Sequence, residues 1–100
     1  MSTKPSVWWV YLLRCRGGEI YTGISTDVRR RVAEHNAGRG SKSLRGRLPA
    51  TLVYREKSPN RSEAQKREAQ IKRLPRAQKL ALAAKKKLKP LKTVRLSSRR

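Results

Sequence analysis

The run VWWVYLL at residues 7–13 constrains the fold more than any other stretch of the chain. It is continuously apolar and rich in β-branched and aromatic side chains, with none of the alternation that marks a strand with one solvated face. This pattern is typical of a strand that is buried on both faces. We therefore place the first strand here, in a sheet that other elements cover on both sides.

A turn and a second β-prone run follow this strand. RGG at residues 16–18 is the turn signal and EIYTGI is the run, so the two strands are predicted to form a hairpin. If all of RGG forms the turn, with a glycine in the left-handed conformation, Tyr11 faces Gly23. Tyr21 then faces Leu13, and the two tyrosines share one face of the sheet. A shorter turn would place them on opposite faces, because a slip of one residue inverts every side chain.

Helices and one more strand complete the predicted domain. STDVRRRVAEHNAG, which offers capping side chains at its start and a glycine at its end, predicts the first helix. Residues 38–49 are basic, glycine-rich and without periodicity, as in a loop. TLVYREK predicts the third strand, and residues 61–74 and 76–88 predict two further helices. The expected fold is α/β of the α+β type: a small three-stranded antiparallel sheet flanked by helices, with a basic C-terminal tail.

The net charge of the chain indicates the class of its partner. The chain contains 27 Lys and Arg but only six Asp and Glu, which gives a formal net charge of +21. Self-repulsion of this size is tolerable chiefly when a polyanion supplies the counter-charge, so nucleic acid is the expected partner. Charge alone does not separate an enzyme from a ribosomal or nucleoid-type binding protein, which would have the same composition.

Cysteine usage and the terminal segments indicate the compartment. Cys15 is the only cysteine, so there is no disulfide framework and no Cys-rich zinc site. The apolar run before Arg14 is too short for a signal-peptide core or a membrane span. We expect a cytoplasmic protein with a short extension at residues 1–6, one domain at 7–84 and a basic tail at 85–100 that is disordered until it meets phosphate.

Helical spacing separates the arginines of the first predicted helix. At about 100° per residue from Val28, His35 falls on the sheet-facing stripe and Arg31 at its edge, one turn earlier. Arg29 and Arg30 point away from that stripe, as solvated phosphate contacts would. His35 is the only histidine. The alternative interpretation of His35 is a core histidine that forms a hydrogen bond with a backbone carbonyl.

Two glutamates of the second predicted helix have different explanations. Glu68 falls on the apolar face with Ala64 and Ile71, where a carboxylate is costly unless a cation accompanies it. A salt bridge to an arginine and a metal ion explain that position equally well. Glu63 follows Asn60 at the spacing of a capping box, which favours a structural role.

These residues, taken in order, resemble a known family. VYLL is followed by YTG, with the two tyrosines ten positions apart, and then by DVRRR and EHN. This order resembles the GIY-YIG nucleases, with VYL at residues 10–12 and YTG at residues 21–23 in place of the two name-giving tripeptides. The resemblance covers about residues 7–82. Its downstream half, from LVYREK onward, is similar to the small stand-alone members grouped as UPF0213.

The resemblance implies a phosphodiesterase that uses one divalent metal, Mg²⁺ or Mn²⁺. By position in the motif, Glu68 is implied as the metal ligand and Arg31 as the group that neutralises the scissile phosphate. Tyr11 and Tyr21 are implied as the pair that positions or deprotonates the attacking water, and His35 as an aid to proton transfer. The set is coherent, because phosphoryl transfer chiefly needs positioning and charge neutralisation.

The implied activity is that of a DNA endonuclease or a structure-selective nuclease of repair or recombination, acting on DNA that includes branched or single-stranded forms, with RNA also open. A non-catalytic nucleic-acid-binding module of the same fold is the alternative. A carboxylate such as Glu68 facing phosphate would repel the ligand of a pure binder, which favours the enzyme. The asparagine that many members carry after the glutamate helix has no counterpart in KRLPRAQKLALAAKKK.

Further phosphate contacts are expected from basic side chains of the two helices and of the loop between the first helix and the third strand. They are Arg29, Arg30, Lys42, Arg45, Arg47, Lys66, Arg67 and Lys72.

Overall fold

One antiparallel sheet with helices on both sides makes up residues 7–85, the part of the chain that the computed structural model describes. In chain order the elements are β1 (Trp8–Arg14), β2 (Ile20–Ser25), α1 (Val28–Asn36), β3 (Thr51–Ser58), α2 (Arg61–Lys72) and α3 (Arg76–Lys85). The strand order is β2-β1-β3, so β1 is bonded on both sides. The predicted fold class is confirmed. The N-terminal extension and the proposed basic tail beyond α3 lie outside the described residues.

The apolar run of the sequence forms the central strand. From Val10 to Leu13 no residue of β1 is more than 1% exposed. Continuous burial of this kind requires packing on both faces of the sheet, which the alternating residues of β1 supply.

Those two faces carry different elements. Tyr11, Leu13 and Cys15 pack with Val28 of α1 and with the segment between α1 and β3. We call this side the α1 face. The opposite residues of β1 pack with α2, α3 and Tyr54 of β3, and we call this side the α2 face.

The hairpin between β1 and β2 has the predicted register. The backbone N–H of Cys15 donates to the carbonyl of Glu19, and Gly18 has a φ of 95° in the left-handed region. RGG therefore forms the whole turn. Tyr11 is paired with Gly23, and Leu13 with Tyr21, as expected.

Capping side chains begin two of the helices as the sequence suggests. Asp27 is the N-cap of α1 and accepts a hydrogen bond from the backbone N–H of Arg30 at 3.1 Å. Asn60 caps α2 and accepts from the N–H of Glu63 at 2.9 Å. Short polar side chains thus cap the starts of both helices, as predicted.

The segment between α1 and β3 is more ordered than predicted. It contains a 3₁₀ turn at Lys42–Leu44, and Leu44 is buried in the core of the α1 face. The side chain of Asn36 accepts from the N–H of Ala50 at 2.7 Å and donates to its carbonyl at 3.0 Å. The absence of periodicity hid this packing, because the segment is anchored by isolated contacts: the apolar side chains of Leu44 and Leu48 and the amide of Asn36.

The second helix ends earlier than the sequence indicated. Helix α2 stops at Lys72, and the N–H of Leu74 bonds the carbonyl of Ile71 in a tightened last turn before Pro75. A residue that precedes proline is disfavoured in the helical conformation, which explains the early end.

Candidate active site

Three aromatic side chains meet on the α1 face. Tyr11 and Tyr21 come from neighbouring strands, and their ring centroids are 6.4 Å apart. His35, from α1, lies 6.3 Å from the Tyr11 ring and 5.3 Å from the Tyr21 ring, edge-on to the latter. The expected clustering of these three side chains on one face is therefore present.

Hydrogen bonds on both ring nitrogens define the state of His35. The backbone N–H of Ser41 donates to Nδ1 at 3.2 Å, and Nε2 lies 3.0 Å from the hydroxyl oxygen of Tyr11. A backbone N–H only donates, so Nδ1 must carry the lone pair, and the proton of a neutral ring must sit on Nε2. Burial, and then the positive charge of Arg31, lower the pKa of His35. At neutral pH, His35 is therefore an uncharged donor to Tyr11.

The alternative interpretation of His35, a core histidine bonded to a backbone carbonyl, does not describe its contacts. The ring is only 1% exposed, as a core residue would be. Its partners are the amide of Ser41 and the hydroxyl of Tyr11. His35 thus belongs to the core and to the cluster around Tyr11 at once.

Two glycines leave the space that the rings of Tyr11 and His35 occupy. A Cβ at Gly23 would lie 2.5 Å from the hydroxyl oxygen of Tyr11, and a Cβ at Gly40 would lie 2.1 Å from Nδ1 of His35. Neither distance is compatible with a side chain unless the ring moves. The sequence identifies Gly23 as the partner of Tyr11 in the hairpin but does not reveal this close contact. Its place as the last letter of YTG was the available signal, whereas nothing in the sequence marked Gly40.

The environment of Tyr11 keeps its hydroxyl protonated at neutral pH. Burial, followed by the proximity of Tyr21, raises the pKa of Tyr11 to about 12, and the negative charge of Glu68 adds to the rise. The positive charge of Arg31 acts in the opposite direction but is outweighed. A further positive charge near this oxygen is needed before the phenolate form becomes accessible.

Arg31 is held beside the aromatic cluster by a residue that the sequence analysis missed. Its Nη1 donates to Oε1 of Glu34 at 3.0 Å, and the Arg31 side chain remains 37% exposed. Glu34 also lies 3.9 Å from Nε of Arg30. The spacing of one helical turn between arginine and glutamate was the signal available in the sequence.

Glu68 reaches this cluster from the other side of the sheet. Helix α2 packs on the α2 face along β2, which is the edge strand. The carboxylate is nevertheless close enough to Tyr11 to raise its pKa. Its ion-pair partner is Lys72, at 3.5 Å and one helical turn away, and not an arginine. Exposed pairs of this kind contribute about 0.3–0.5 kcal/mol, too little to explain the position of Glu68.

Comparison with known proteins identifies the family. The model of the GIY-YIG catalytic domain matches residues 7–81. The chain belongs to the GIY-YIG family. That family is one of nucleases, so nuclease activity is the function class and nucleic acid the class of substrate.

Relatives place the chain within the UPF0213 group of the GIY-YIG family. A UPF0213 protein of Halobacterium salinarum is 58% identical over 73 residues, which are 73% of this chain and 95% of the relative. A UPF0213 protein of Cupriavidus pinatubonensis is 51% identical over 78 residues, 78% of this chain and 87% of the relative. The solution NMR structure of a UPF0213 protein from Bacillus halodurans is 41% identical, with a TM-score of 0.53 over 81% of this chain and 86% of that one.

The oxygen atoms near Tyr11 fit the divalent metal that GIY-YIG nucleases generally use. Residues 7–85 contain no group of three or more His, Cys, Asp or Glu side chains that could hold a metal ion by themselves. Mg²⁺ commonly binds through one or two carboxylates, with water and substrate phosphate completing its octahedron. The carboxylate of Glu68 is partly exposed, and within residues 7–85 its ion-pair partner is Lys72, so it fits that pattern.

The other basic residues predicted to bind phosphate differ in whether a carboxylate already pairs with them. Arg29, Arg30, Lys42 and Arg45 are exposed. Exposed ion pairs at 3.5–3.9 Å join three more cations to carboxylates: Arg47 to Glu19, Lys66 to Glu63 and Lys72 to Glu68.

Arg67 is the exception among these cations. Its Nε donates to Glu56 at 2.7 Å and its Nη2 to the same carboxylate at 3.3 Å. Tyr54 donates to Glu56 as well. This partly buried pair joins α2 to β3 on the α2 face, so the Arg67 guanidinium already has a structural partner, and its contact with phosphate stays a prediction. Residues 7–85 also contain no helix with the length and apolar character of a membrane span.

The hydrogen-bond donor role of His35 predicts different outcomes for two substitutions. His35→Gln retains an N–H that can reach Tyr11, whereas His35→Ala removes the donor. A hydrogen bond to a charged group contributes about 1.5–3 kcal/mol, so His35→Ala is expected to slow cleavage about 10- to 100-fold, and His35→Gln by clearly less. Initial cleavage rates test this prediction. Equal loss in both variants would instead indicate that His35 accepts a proton during the reaction.

Proposed function

We propose that the protein is a divalent-metal-dependent endonuclease that hydrolyses phosphodiester bonds in DNA, in repair or recombination. The observation that carries the proposal is the convergence of three unlike groups on one buried hydroxyl. The Tyr11 hydroxyl is hydrogen-bonded to the N–H of His35, and the charges of Arg31 and Glu68 are close enough to shift its pKa in opposite directions. A domain that only bound nucleic acid would gain nothing from a carboxylate at this point.

Tyr11 is the proposed acceptor of the proton from the attacking water. Because its oxygen accepts a hydrogen bond from His35, the hydroxyl proton of Tyr11 is not used in that contact. Release of that proton to water gives the phenolate, which then takes the proton of the attacking water. The N–H of His35 and the charge of Arg31 both favour the phenolate that results. A divalent cation bound at Glu68 would supply Lewis acidity and the additional positive charge that this phenolate requires.

Arg31 and Tyr21 have complementary roles in this proposal. The Arg31 side chain is partly exposed and fixed by Glu34, so its remaining N–H groups are available to the scissile phosphate. Tyr21 is partly buried and lies against both Tyr11 and His35. In this proposal, its hydroxyl orients the attacking water. Both contributions are of the positioning and charge-neutralising kind that phosphoryl transfer needs.

A nicking assay tests the proposal. Supercoiled plasmid and labelled single-stranded, duplex and branched DNA are incubated with the protein in Mg²⁺, in Mn²⁺ and in EDTA. Cleavage is expected with either metal, none in EDTA, and recovery when excess Mg²⁺ is added back. Tyr11→Phe, which keeps the ring and removes the hydroxyl, is expected to slow cleavage by about 10²- to 10⁴-fold. Binding without cleavage of any substrate would identify a binding module instead.

A further inference from the structure

A tryptophan beside the cluster carries two cations on its ring. Trp9 precedes Tyr11 by two positions on β1 and therefore lies on the same α1 face. Cζ of Arg55 is 4.6 Å from the centroid of the Trp9 ring, and Nζ of Lys57 is 5.9 Å from it. Pairing of β1 with β3 places Arg55 opposite Tyr11 and Lys57 opposite Trp9.

Neither cation has a carboxylate partner within residues 7–85. The ion pairs of this region involve other arginines and lysines. Glu56, which lies between Arg55 and Lys57 in sequence, binds Arg67 on the α2 face. Both Arg55 and Lys57 are exposed. Two positive charges without a carboxylate partner in this region therefore sit over a partly buried indole, two positions along β1 from Tyr11.

We propose that Trp9, Arg55 and Lys57 form a binding surface for an unpaired nucleotide of a DNA strand, adjacent to the scissile phosphate. The inference rests on the proposed function, whose substrate it specifies. The base stacks on the indole and guanidinium planes, and the two cations contact the flanking phosphates. Stacking of this kind needs a base face that is not covered by neighbouring base pairs, so a strand with an unpaired stretch fits and a continuous duplex does not.

The distance along the strand agrees with this assignment. At about 3.3 Å per residue, the backbones of Trp9 and Tyr11 are roughly 6.6 Å apart. Two steps of about 3.4 Å between stacked nucleotides of one strand span about the same distance. A base on Trp9 is therefore offset from the backbone of Tyr11 by about two nucleotide steps.

The chain supplies a matched control for this surface. Trp8 is the other tryptophan, and it lies on the α2 face. It also has an arginine over its ring, with Cζ of Arg61 at 5.8 Å from the centroid. Changes at Trp8 and Arg61 thus remove the same chemistry as changes at Trp9 and Arg55, but on the opposite side of the sheet.

The experiment measures binding of the full-length protein in EDTA, where cleavage does not occur. Labelled single-stranded and blunt duplex oligonucleotides are titrated against Trp9→Leu, Arg55→Gln and the controls Trp8→Leu and Arg61→Gln. Trp9→Leu is expected to weaken single-strand binding by about tenfold, within the range for loss of one stacked base, and to change duplex binding less than twofold. Arg55→Gln, which leaves the core untouched, is expected to weaken single-strand binding more than Arg61→Gln does.

Several results would overturn the inference. They are unchanged single-strand affinity in Trp9→Leu and Arg55→Gln, an equal loss for duplex, or an equal loss in the Trp8 and Arg61 controls. Because binding is measured without metal, failure of this surface is distinct from failure of the nuclease. A wild-type protein that cuts no DNA, together with a selective loss in Trp9→Leu, refutes the proposed function and keeps the surface. A wild-type protein that cuts DNA, together with unchanged single-strand binding in Trp9→Leu, supports the proposed function and refutes the surface.

Discussion

Replacing Glu68 with alanine is expected to abolish metal-dependent cleavage while DNA affinity stays the same or rises. If Glu68 holds the divalent cation, its loss removes a contribution of several kcal/mol to the transition state, which corresponds to a decrease of about 10²- to 10⁴-fold in rate. Affinity does not fall, because a negative charge is removed from a site that receives phosphate. Single-turnover cleavage and binding in EDTA measure the two quantities separately.

The thermal stability of Glu68→Ala is expected to change little. The alternative explanation of Glu68, a salt bridge to an arginine, would predict a sharp fall in melting temperature, because a partly buried guanidinium would be left unpaired. The structure pairs Arg31 with Glu34 and Glu68 with Lys72. Only an exposed pair on one helix is lost, and alanine is the best helix former.

Glu63→Ala is the matched control for this variant. Glu63 lies on the same helix, carries the same charge and pairs with Lys66 at 3.5 Å, the distance that also separates Glu68 from Lys72. The two variants differ chiefly in their distance from Tyr11. Glu63→Ala is expected to cut at nearly the wild-type rate. A Glu68→Ala protein that cuts equally well would refute the metal-ligand role.

Cation binding at Glu68 can also be tested by a measurement that does not depend on cleavage. Its charge raises the pKa of Tyr11, which stands at about 12. A divalent cation at Glu68 reverses the sign of the nearby charge and should lower that pKa in the wild-type protein. In Glu68→Ala the same cation should have no such effect. Because Mg²⁺ precipitates as its hydroxide at the pH where Tyr11 titrates, the test is made at neutral pH: calorimetry should show Mg²⁺ binding to the wild type and its loss in Glu68→Ala.

Local patterns were sufficient to predict the sheet and the helix that carry the cluster. The three-residue RGG turn, with a left-handed glycine at its end, sets Tyr11 and Tyr21 on one face, whereas a two-residue turn would separate them. The spacing within α1 likewise places His35 inward and Arg31 at the edge. These features depend on contacts between residues that are near in sequence, which is why periodicity and turn chemistry reveal them.

Contacts between distant segments could not be predicted in this way. Ser41 fixes the tautomer of His35 from a segment that appears in the sequence as an unstructured loop. Arg67, which looks like a surface cation on a polar helix, instead binds Glu56 of β3. In both cases the partner is chosen by how the elements pack. No pattern along one element carries that information.

The small size of the domain explains why core and candidate site coincide. A domain of this length has few buried positions, and Tyr11 and His35 each occupy one, at 1% exposure. Burial supplies the low-dielectric surroundings in which a single hydrogen bond or charge has a large effect. The consequence is that substitutions near these rings should affect stability and activity together.

Gly23→Ala is expected to show this coupling most clearly. The added Cβ would lie 2.5 Å from the hydroxyl oxygen of Tyr11 and 2.6 Å from its Cζ, so the ring must shift. Tyr21 and His35 adjoin the ring on the same face, and the shift disrupts the 3.0 Å bond to His35. Overpacking of a core costs about 1–3 kcal/mol. Displacement of a reacting group by about 1 Å lowers the rate on the order of 10²-fold.

Gly46→Ala is the control for this substitution. A Cβ at Gly46 meets nothing within 4 Å, and its backbone is not left-handed. The melting temperature and cleavage rate of this variant should match those of the wild type. Thermal melts and initial cleavage rates of both variants therefore separate a general effect of alanine from the contact with Tyr11.

A double substitution decides whether Gly23 acts through the hydroxyl of Tyr11. In a Tyr11→Phe background the oxygen that alanine displaces is already absent, so Gly23→Ala should lower the cleavage rate little further, although the remaining contact with the ring still reduces stability. Residues in contact commonly show such non-additive effects. If the two rate losses multiply instead, alanine acts on the reaction by another route. A Gly23→Ala protein that cuts as fast as the wild type would mean that the exact position of this hydroxyl does not limit the reaction.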